Sequence, residues 1–330
     1  MLQAPRTRPE EASLGPALDR LGGEVTRIRS RDGLRLSARW LDPEPGEPDW
    51  RPDPYEAIVI LHGYSGSVAP DLVEYGPSLR RIAGVLGLDF RGHGDSDPAA
   101  TTFGLHEVDD VGGALAWLGE RGIRHVALFG TSMGGIVALA ATVVLGDGGL
   151  AGVDTDPAAP RLTSPAPRPR IVGIVAEAVT AELPTVVANR LSGPGPIRRW
   201  LARRAFALAA ARLGGDPRAT EPLRIVGLLE DLPLLLIHGD ADTTVPPAEG
   251  RRLAAAAGSG AQHWTIPGAG HGQGRQVSGA AWDARVGAFL RAAFRGGRGP
   301  QGAMGILRSA AIEGPEADDR PDSVEADLRA

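Results

Sequence analysis

The segment Gly130-Thr131-Ser132-Met133-Gly134 carries the strongest chemical signal in the chain, because it fits the pattern G-x-S-x-G. An apolar run typical of a buried strand precedes it, and an apolar run typical of a helix follows it. A sharp strand-to-helix turn holds such a serine in a strained backbone conformation, and its glycines let neighbouring backbone pass close by. Ser132 is therefore predicted to be a nucleophile. An ordinary glycine-rich turn is the alternative interpretation.

A serine hydroxyl needs an adjacent base, and that base needs a group to orient it. His271 lies in a glycine-rich loop after a short predicted strand, and it is predicted to be the base. Asp242, in the loop that follows the apolar run 234–237, is predicted to orient it. Two other acids are alternatives for the orienting role: Asp240 in the same loop, and Glu177 at the end of the apolar run 171–175.

Two backbone N–H groups are predicted to form an oxyanion hole, a pair of donors for the negative charge that develops on a carbonyl oxygen under attack. Met133 follows the nucleophile directly, and Tyr64 follows the His62-Gly63 turn that ends an earlier apolar run. His62 is predicted to be structural, since the loop must be packed rigidly to aim its donor. Cysteine is absent and no histidine and acid share metal-ligand spacing on one helix, so neither a metal nor a cofactor is predicted.

Together these residues resemble the α/β-hydrolase superfamily, in which serine, acid and histidine follow this chain order. The segment Asp89-Phe90-Arg91-Gly92-His93-Gly94 is similar to the loop after the fourth strand in many members. The resemblance extends from roughly residue 24 to residue 294. It favours compact bacterial serine hydrolases of the esterase, lysophospholipase and acylaminoacyl-peptidase-like type. Because the nucleophile is serine and not aspartate, it does not support a haloalkane dehalogenase or an epoxide hydrolase.

The resemblance implies an α/β-hydrolase fold: a mostly parallel eight-stranded sheet with helices on both faces and a small helical cap. It also implies hydrolysis of a carboxylic ester through a Ser-His-Asp triad and an acyl-enzyme intermediate. A thioesterase and a small-peptide or acylaminoacyl hydrolase are alternatives with the same triad. A catalytically silent member of the fold that binds a small molecule is an alternative of another class.

The hydropathy pattern predicts the elements that would position these side chains. Alternating polar and apolar residues on both sides of Arg31-Asp32-Gly33 predict a half-exposed hairpin. Continuous apolar runs then predict strands that are buried on both faces of a parallel sheet. These runs are residues 57–61, 84–88, 126–129, 171–175 and 234–237. Helix-length segments at 105–119, 246–257 and 278–294 alternate with them, which predicts a doubly wound α/β domain.

The remaining segments define the predicted organisation of the chain. Residues 1–23 are an N-terminal arm, either loose or a short helix, and residues 146–169 are a flexible surface loop. The rest divides into a first core part at 24–178, a helical cap insertion at 179–222, a second core part at 223–295 and an acidic, disordered tail at 296–330. In the cap, one helical face carries Ile197, Trp200, Leu201, Ala205 and Leu208.

Composition excludes several classes of protein. The chain has 330 residues, of which 42% are hydrophobic and 23% charged, which is enough for a large core. The formal charge of −5 matches that of residues 313–330 alone, so the body is neutral and lacks the basic character of a nucleic-acid binder. No apolar run approaches the ~20 residues that span a bilayer, and the first thirty residues lack the apolar region of a signal peptide. We expect a cytoplasmic protein that acts on a small-molecule acyl ester. The sequence predicts no oligomeric state.

The predicted cap is basic. Its seven arginines and three acids give it a net charge of +4. These residues are Arg190, Arg198, Arg199, Arg203, Arg204, Arg212 and Arg218, with Glu182, Asp216 and Glu221. A solvated helix face is the simplest interpretation. A basic lid that favours anionic substrates or contacts an anionic membrane surface is the alternative.

Overall fold

The fold is built on a single sheet, as seen in a computed structural model that describes residues 5–46, 49–146, 167–189, 195–213 and 215–297. Its strands are β1 (Glu24–Arg29), β2 (Arg35–Leu41), β3 (Glu56–Leu61), β4 (Gly84–Leu88), β5 (His125–Thr131), β6 (Arg170–Glu177), β7 (Leu234–Gly239) and β8 (Ala261–Ile266). They lie in the order β1-β2-β4-β3-β5-β6-β7-β8. Strands β3 to β8 run parallel, whereas the β1–β2 hairpin adds two antiparallel strands at one edge.

The apolar runs of the sequence form the central strands. Every residue of β3, β4 and β7 is buried, because helices cover both faces of the sheet at these positions. The hairpin strand β1 has one face in solvent, and four of its six residues are exposed. The predicted architecture, a mostly parallel sheet of eight strands with helices on both faces, is therefore confirmed.

Ten α-helices pack against this sheet or extend from its edges within the described ranges. They are α1 (Gly15–Leu21), α2 (Ala69–Leu79), α3 (Glu107–Glu120), α4 (Met133–Leu145), α5 (Leu183–Asn189), α6 (Gly195–Leu213), α7 (Pro222–Ile225), α8 (Pro247–Ala257), α9 (Gly274–Ser278) and α10 (Ala280–Gly297). Side chains of α3, α4 and α8 fill the core on one face of the sheet. Side chains of α2 and α10 fill the core on the other face. None of the helices in these ranges is long and apolar enough to cross a membrane.

Three helical features differ from the sequence-based expectation. Helix α2 was not predicted, although Leu72, Tyr75 and Leu79 are buried along one face of it. The short α7 was not predicted either. The helix expected at 278–294 is α10, and the short α9, which was not predicted, precedes it. Gly279, with a left-handed φ of 47°, ends α9 before α10 begins.

The N-terminal segment, expected to be either a loose arm or a short helix, is helical and docked on the core. A 3₁₀ helix at Pro9–Leu14 leads directly into α1. Leu18 and Leu21 of α1 pack against the same core cluster as α2 and α10. Arg39 of β2 donates a hydrogen bond to the carbonyl of Gly22 at 2.7 Å, which fixes the end of α1.

The predicted cap segment contains α5 and α6, between β6 and β7. The sequence grouped Ile197, Trp200 and Leu208 on one apolar face of α6, yet all three are more than half exposed. Ala202 and Phe206, on the opposite face, are buried instead, and Phe206 lies 6.4 Å from the Phe103 ring. Most of the predicted surface loop (147–166) and nearly all of the predicted tail (298–330) lie outside the described residues.

A buried ion pair ties the loop after β4 to α3 and to the hairpin. The Arg91 guanidinium donates to Asp110 at 2.7 and 3.0 Å and to Asp32 at 2.8 and 2.9 Å. The side chain of Asp110 is fully buried and that of Arg91 is 5% exposed. The loop that contains Arg91 packs directly behind the His62 turn, so this ion pair also supports the region of the predicted oxyanion hole.

We predict that Arg91→Met lowers the free energy of unfolding by about 3–5 kcal/mol, because it leaves the Asp110 carboxylate buried without its cation. Urea unfolding followed by circular dichroism would measure this loss. Arg35→Met is the matched control: Arg35 pairs with Asp97 while its side chain is 68% exposed, so its removal should barely change the stability. Equal losses in the two variants would contradict the prediction.

Candidate active site

Ser132 stands at the turn between β5 and α4 with backbone angles φ 52° and ψ −112°. Non-glycine residues rarely adopt a positive φ, so surrounding contacts must hold this conformation. The N–H of Ser132 donates to the carbonyl of Glu177 at the end of β6, at 2.8 Å. Gly134 lies so close to the backbone of Leu61 and His62 that a side chain there would collide with it. The turn is therefore held between the ends of β3 and β6.

His271 bridges the serine and an aspartate. Its Nε2 lies 3.0 Å from Ser132 Oγ, and its Nδ1 lies 2.7 Å from Asp242 Oδ2. Because the carboxylate can only accept at Nδ1, that nitrogen carries the proton, and Nε2 is left to accept from the hydroxyl. The other oxygen, Asp242 Oδ1, accepts from the N–H groups of Thr244 and Val245, both at 2.8 Å. The carboxylate is thus fixed on both oxygens.

The two alternative acids make different contacts. Asp240 Oδ1 accepts from the N–H of Gly268 at 2.6 Å, which shapes the loop that leads to His271. Glu177 accepts from the N–H of Gly274 at 2.8 Å and from the indole N–H of Trp282 at 3.4 Å. Burial raises the pKa of Glu177 to about 7, although these hydrogen bonds oppose the shift. Of the three acids, Asp242 is the one that contacts His271.

The two predicted oxyanion donors lie on the same side of the site as Ser132. Met133 is the first residue of α4, where backbone N–H groups have no acceptor within the helix. Gly63 borders Ser132 and precedes Tyr64 in the chain, and both Tyr64 and Met133 line the cavity above the serine. The carbonyl of Gly63 accepts from His62 Nδ1 at 2.7 Å, which fixes the peptide group that carries the Tyr64 N–H.

The other histidines near the site support loops. His62 is buried, and its Nε2 accepts from the N–H of Phe90 at 3.1 Å. Burial, with a further contribution from neighbouring His93, lowers the pKa of His62 to about 3, so the ring is neutral. His93 contacts the N–H of Ser65 and the carbonyl of Arg91. His238 lies behind Asp242 and contacts the carbonyl of Val245 at 2.9 Å. None of these three contacts Ser132 in the described part of the chain.

A cavity of about 470 Å³ opens above Ser132, a size typical of small-molecule sites. One wall is apolar and comes from α4, the cap helices and nearby loops. Its residues are Phe103, Met133, Ile136, Leu183, Val186, Phe206 and Val245. The other wall is polar and comes mainly from the N-terminal segment, α2 and α9. Its residues are Arg8, Ser67, Asp71, Glu74, Gln273 and Gln276.

The polar wall was not predicted from the sequence. Its Asp71 accepts a hydrogen bond at 3.1 Å from the hydroxyl of Thr131, the residue directly before Ser132. Burial and the nearby charge of Glu177 raise the pKa of Asp71 to about 7, against the opposing pull of Thr131. The signal for this wall was the spacing of Leu72, Tyr75 and Leu79 after Pro70, which is typical of one apolar helix face. Within the described residues, no cluster of three or more metal-ligating side chains is present.

Comparison with known proteins agrees with this fold. Among solved structures, an esterase of Pyrococcus furiosus, Pf2001, aligns with 88% of this chain and 98% of its own at 22% identity and a TM-score of 0.59. An alpha-beta hydrolase of Vibrio vulnificus aligns with 87% of this chain and 89% of its own at 16% identity and a TM-score of 0.61. The uncharacterized protein YfhR of Escherichia coli is 24% identical over 250 residues, which are 74% of this chain and 71% of YfhR.

The family match covers the parallel sheet and every residue of the site except the N-terminal contribution to the polar wall. Residues 58–295 match the alpha/beta hydrolase family. That range begins in β3 and ends in α10. The chain therefore belongs to the alpha/beta hydrolase family.

Proposed function

We propose that this protein is a serine esterase that hydrolyses carboxylic esters through an acyl-enzyme intermediate. The observation that carries the proposal is the series of hydrogen bonds from Asp242 through His271 to Ser132 at the floor of the cavity. Ser132 Oγ attacks the ester carbonyl while His271 Nε2 takes its proton. The same nitrogen then donates that proton to the leaving alcohol. In the second half of the reaction, His271 deprotonates a water molecule that attacks the acyl-enzyme and releases the acid.

The remaining groups act on the charges that these steps create. Asp242 stabilises the imidazolium form of His271 and keeps its Nε2 directed at Ser132. The N–H groups of Met133 and Tyr64 donate to the oxyanion of the tetrahedral intermediate, a contribution worth roughly 3–4 kcal/mol per donor in related acyl-transfer sites. The apolar wall receives the acyl chain, and the alcohol faces the polar wall. The esterase neighbours from P. furiosus and from Thermogutta terrifontis support an ester substrate.

Ser132→Ala should abolish both labelling by a fluorophosphonate probe and hydrolysis of p-nitrophenyl esters, because it removes the attacking oxygen. Asp242→Asn should retain labelling at a much lower rate and lose roughly 10⁴-fold in kcat, the size of loss seen when a triad acid becomes an amide. Gel fluorescence and steady-state kinetics would measure the two effects.

Asp240→Asn and Glu177→Gln are the matched controls for this series. Each neutralises a neighbouring acid that does not contact His271, so each should lose less than about tenfold in kcat. A larger loss in either control than in Asp242→Asn would contradict the assignment of the acid. A wild-type protein that is neither labelled nor active on any ester would instead support a non-catalytic binding role.

The apolar wall predicts a preference for longer acyl chains. From acetyl upward, kcat/KM for p-nitrophenyl esters should rise by about fourfold per added methylene until the wall is filled, since each buried CH₂ contributes ~0.8 kcal/mol. Acyl-CoA thioesters and aminoacyl anilides, assayed beside the esters, would distinguish the thioesterase and peptidase alternatives. A rate that does not depend on chain length would contradict the proposed acyl site.

A variant that fills part of the apolar wall would test where the acyl chain binds. Ile136→Trp should move the optimum to shorter chains, because Ile136 lines the apolar wall from α4. Leu228→Trp is the control, since Leu228 is 57% exposed and does not line the cavity.

We further propose that the cap contacts an anionic membrane surface. The active site would then reach the acyl esters of lipids in that surface. The outer cap face consists of Ile197, Trp200, Leu201 and Leu208, which are 42–69% exposed. Arg203 and Arg204 are exposed beside them, and Arg204 lies over the Trp200 ring at 5.5 Å. The acids of the cap segment are paired with other arginines: Glu182 with Arg252, Asp216 with Arg218, and Glu221 with Arg224. Exposed tryptophan and leucine between arginines are typical of helices that lie in a membrane interface.

Binding to phosphatidylglycerol vesicles should exceed binding to phosphatidylcholine vesicles in a sedimentation assay. The double variant Arg203→Gln/Arg204→Gln should weaken that binding by about 30-fold, at roughly 1 kcal/mol per arginine near the surface. Trp200→Ser/Leu208→Ser should weaken binding to both kinds of vesicle, whereas Leu228→Ser, an exposed leucine elsewhere, should not. Equal binding of the wild type and both double variants would contradict the proposal.

A further inference from the structure

The loop that carries the predicted Tyr64 donor has a strained backbone. Ser65 has a φ of 72° and Gly66 a φ of 81°, so two consecutive residues adopt left-handed conformations. This conformation is unfavourable for serine and persists only where the surroundings impose it. The oxyanion loop, residues 63–67, therefore depends on partners outside itself.

The core supplies part of these contacts. His62 Nδ1 donates to the carbonyl of Gly63, and His93 Nε2 accepts from the N–H of Ser65 at 3.3 Å. The carbonyl of Gly66 accepts from the N–H of Gly94 at 3.1 Å. These bonds leave the carbonyls of Tyr64 and Ser65 and the N–H groups of Gly66 and Ser67 to be paired by another segment.

That segment is the N-terminal strap, residues 5–11. Arg8 Nη2 donates to the carbonyl of Tyr64 at 3.0 Å and to that of Ser65 at 3.3 Å, and Arg8 Nε donates to Ser65 Oγ at 3.2 Å. The carbonyl of Pro5 accepts from the N–H of Gly66 at 2.8 Å. Arg8 thus holds the carbonyls of the two peptide groups that follow Tyr64 in the chain.

Glu11 completes the set of contacts. Its Oε1 accepts from the N–H of Ser67 at 3.1 Å, and its Oε2 accepts from Ser67 Oγ at 2.7 Å. The strap lies so close to Gly66 that a side chain there would collide with Glu11. Arg6 anchors the same strap by donating to the carbonyl of Gly94 at 3.0 Å. Arg8 therefore binds the loop residues before Gly66 in the chain, and Glu11 binds the residue after it.

We propose that the N-terminal strap is part of the catalytic machinery, with Arg8 and Glu11 as positioning residues that aim the Tyr64 N–H at the oxyanion. This inference depends on the proposed esterase function. The strap lies outside the range 58–295 that matches the family, and its Arg8 both lines the polar wall of the cavity and binds the oxyanion loop. A hydrogen bond weakens steeply as its angle closes, so a rotated Tyr64 peptide would lose transition-state binding and keep substrate binding.

Arg8→Met and Glu11→Gln should each lower kcat by roughly tenfold to hundredfold, somewhat less than the loss of a whole oxyanion donor. KM should stay within about threefold of the wild-type value, because the apolar wall is unchanged. An alkyl trifluoromethyl ketone forms a tetrahedral adduct with the serine, so its inhibition constant should rise by the same factor as kcat falls. Arg8→Lys should restore part of the activity, since an ammonium can still donate to one carbonyl.

Two further measurements separate positioning from folding. Arg20→Met, in α1 of the same terminal region, should match the wild type in every assay. All variants should unfold thermally within about 3 °C of the wild type, since the Arg8 contacts are exposed and the Glu11 contacts are only partly buried. In Arg8→Met, the amides of residues 62–68 should exchange with deuterium faster than in the wild type, a result that does not depend on activity.

The outcomes distinguish this inference from the esterase proposal. An active wild type with an equally active Arg8→Met would overturn the role of the strap and leave the esterase function intact. An equal rise in KM and in the ketone inhibition constant would also overturn it, because it would indicate general damage to the site. If the wild type hydrolyses no ester, the catalytic role of the strap fails together with the esterase proposal, and faster exchange at residues 62–68 in Arg8→Met would then show only that Arg8 orders the loop.

Discussion

The left-handed backbone of Ser132 is the constraint on which the rest of the site depends, since an ordinary helical or extended residue would carry the hydroxyl away from His271. Holding a non-glycine residue there costs on the order of 1–3 kcal/mol, which other contacts must offset. Three adjacent strands supply those contacts. Strand β5 leads into the turn, β6 accepts the Ser132 N–H through Glu177, and the end of β3 leaves room for Gly134 alone. The conformation of Ser132 is therefore fixed by the sheet and not by its own turn.

The acids around the site differ in their hydrogen-bond partners and burial, and these differences distinguish their roles. Asp242 is held by two backbone N–H groups on one oxygen, which leaves the other for His271. Glu177 is buried nearby and Asp71 is half-buried at the cavity wall, and both have pKa values raised to about 7. Near neutral pH a fraction of each is therefore protonated, which limits the negative charge around an attacking oxygen. If Asp242, Glu177 and Asp71 were all fully charged, their negative charges would oppose the formation of an oxyanion on a substrate.

The sequence was most informative where chemistry and backbone geometry require particular residue types. The elbow glycines, the His-Gly turn and the chain order of serine, aspartate and histidine led to the residues that the structure brings together, and the apolar runs predicted the central strands. The sequence was less informative about the outer parts of the site. The periodicity of α6 marks one apolar stripe, yet the buried aromatic residue is Phe206, outside that stripe and 6.4 Å from the Phe103 ring. Arg8 and Glu11 bind backbone atoms and two serine hydroxyls, and such contacts leave no oppositely charged side chain in the sequence to find.

The distance along the chain between the reacting groups has a consequence for biosynthesis. Ser132 and His271 are separated by 139 residues, whereas the strap and the oxyanion loop that it contacts are separated by about 56. On the ribosome, the elbow and its anion-binding loop can therefore assemble while β7, β8 and the histidine loop are still unmade. Such a nascent chain has Ser132 without His271, so the proposed esterase activity would be among the last properties that the growing polypeptide acquires.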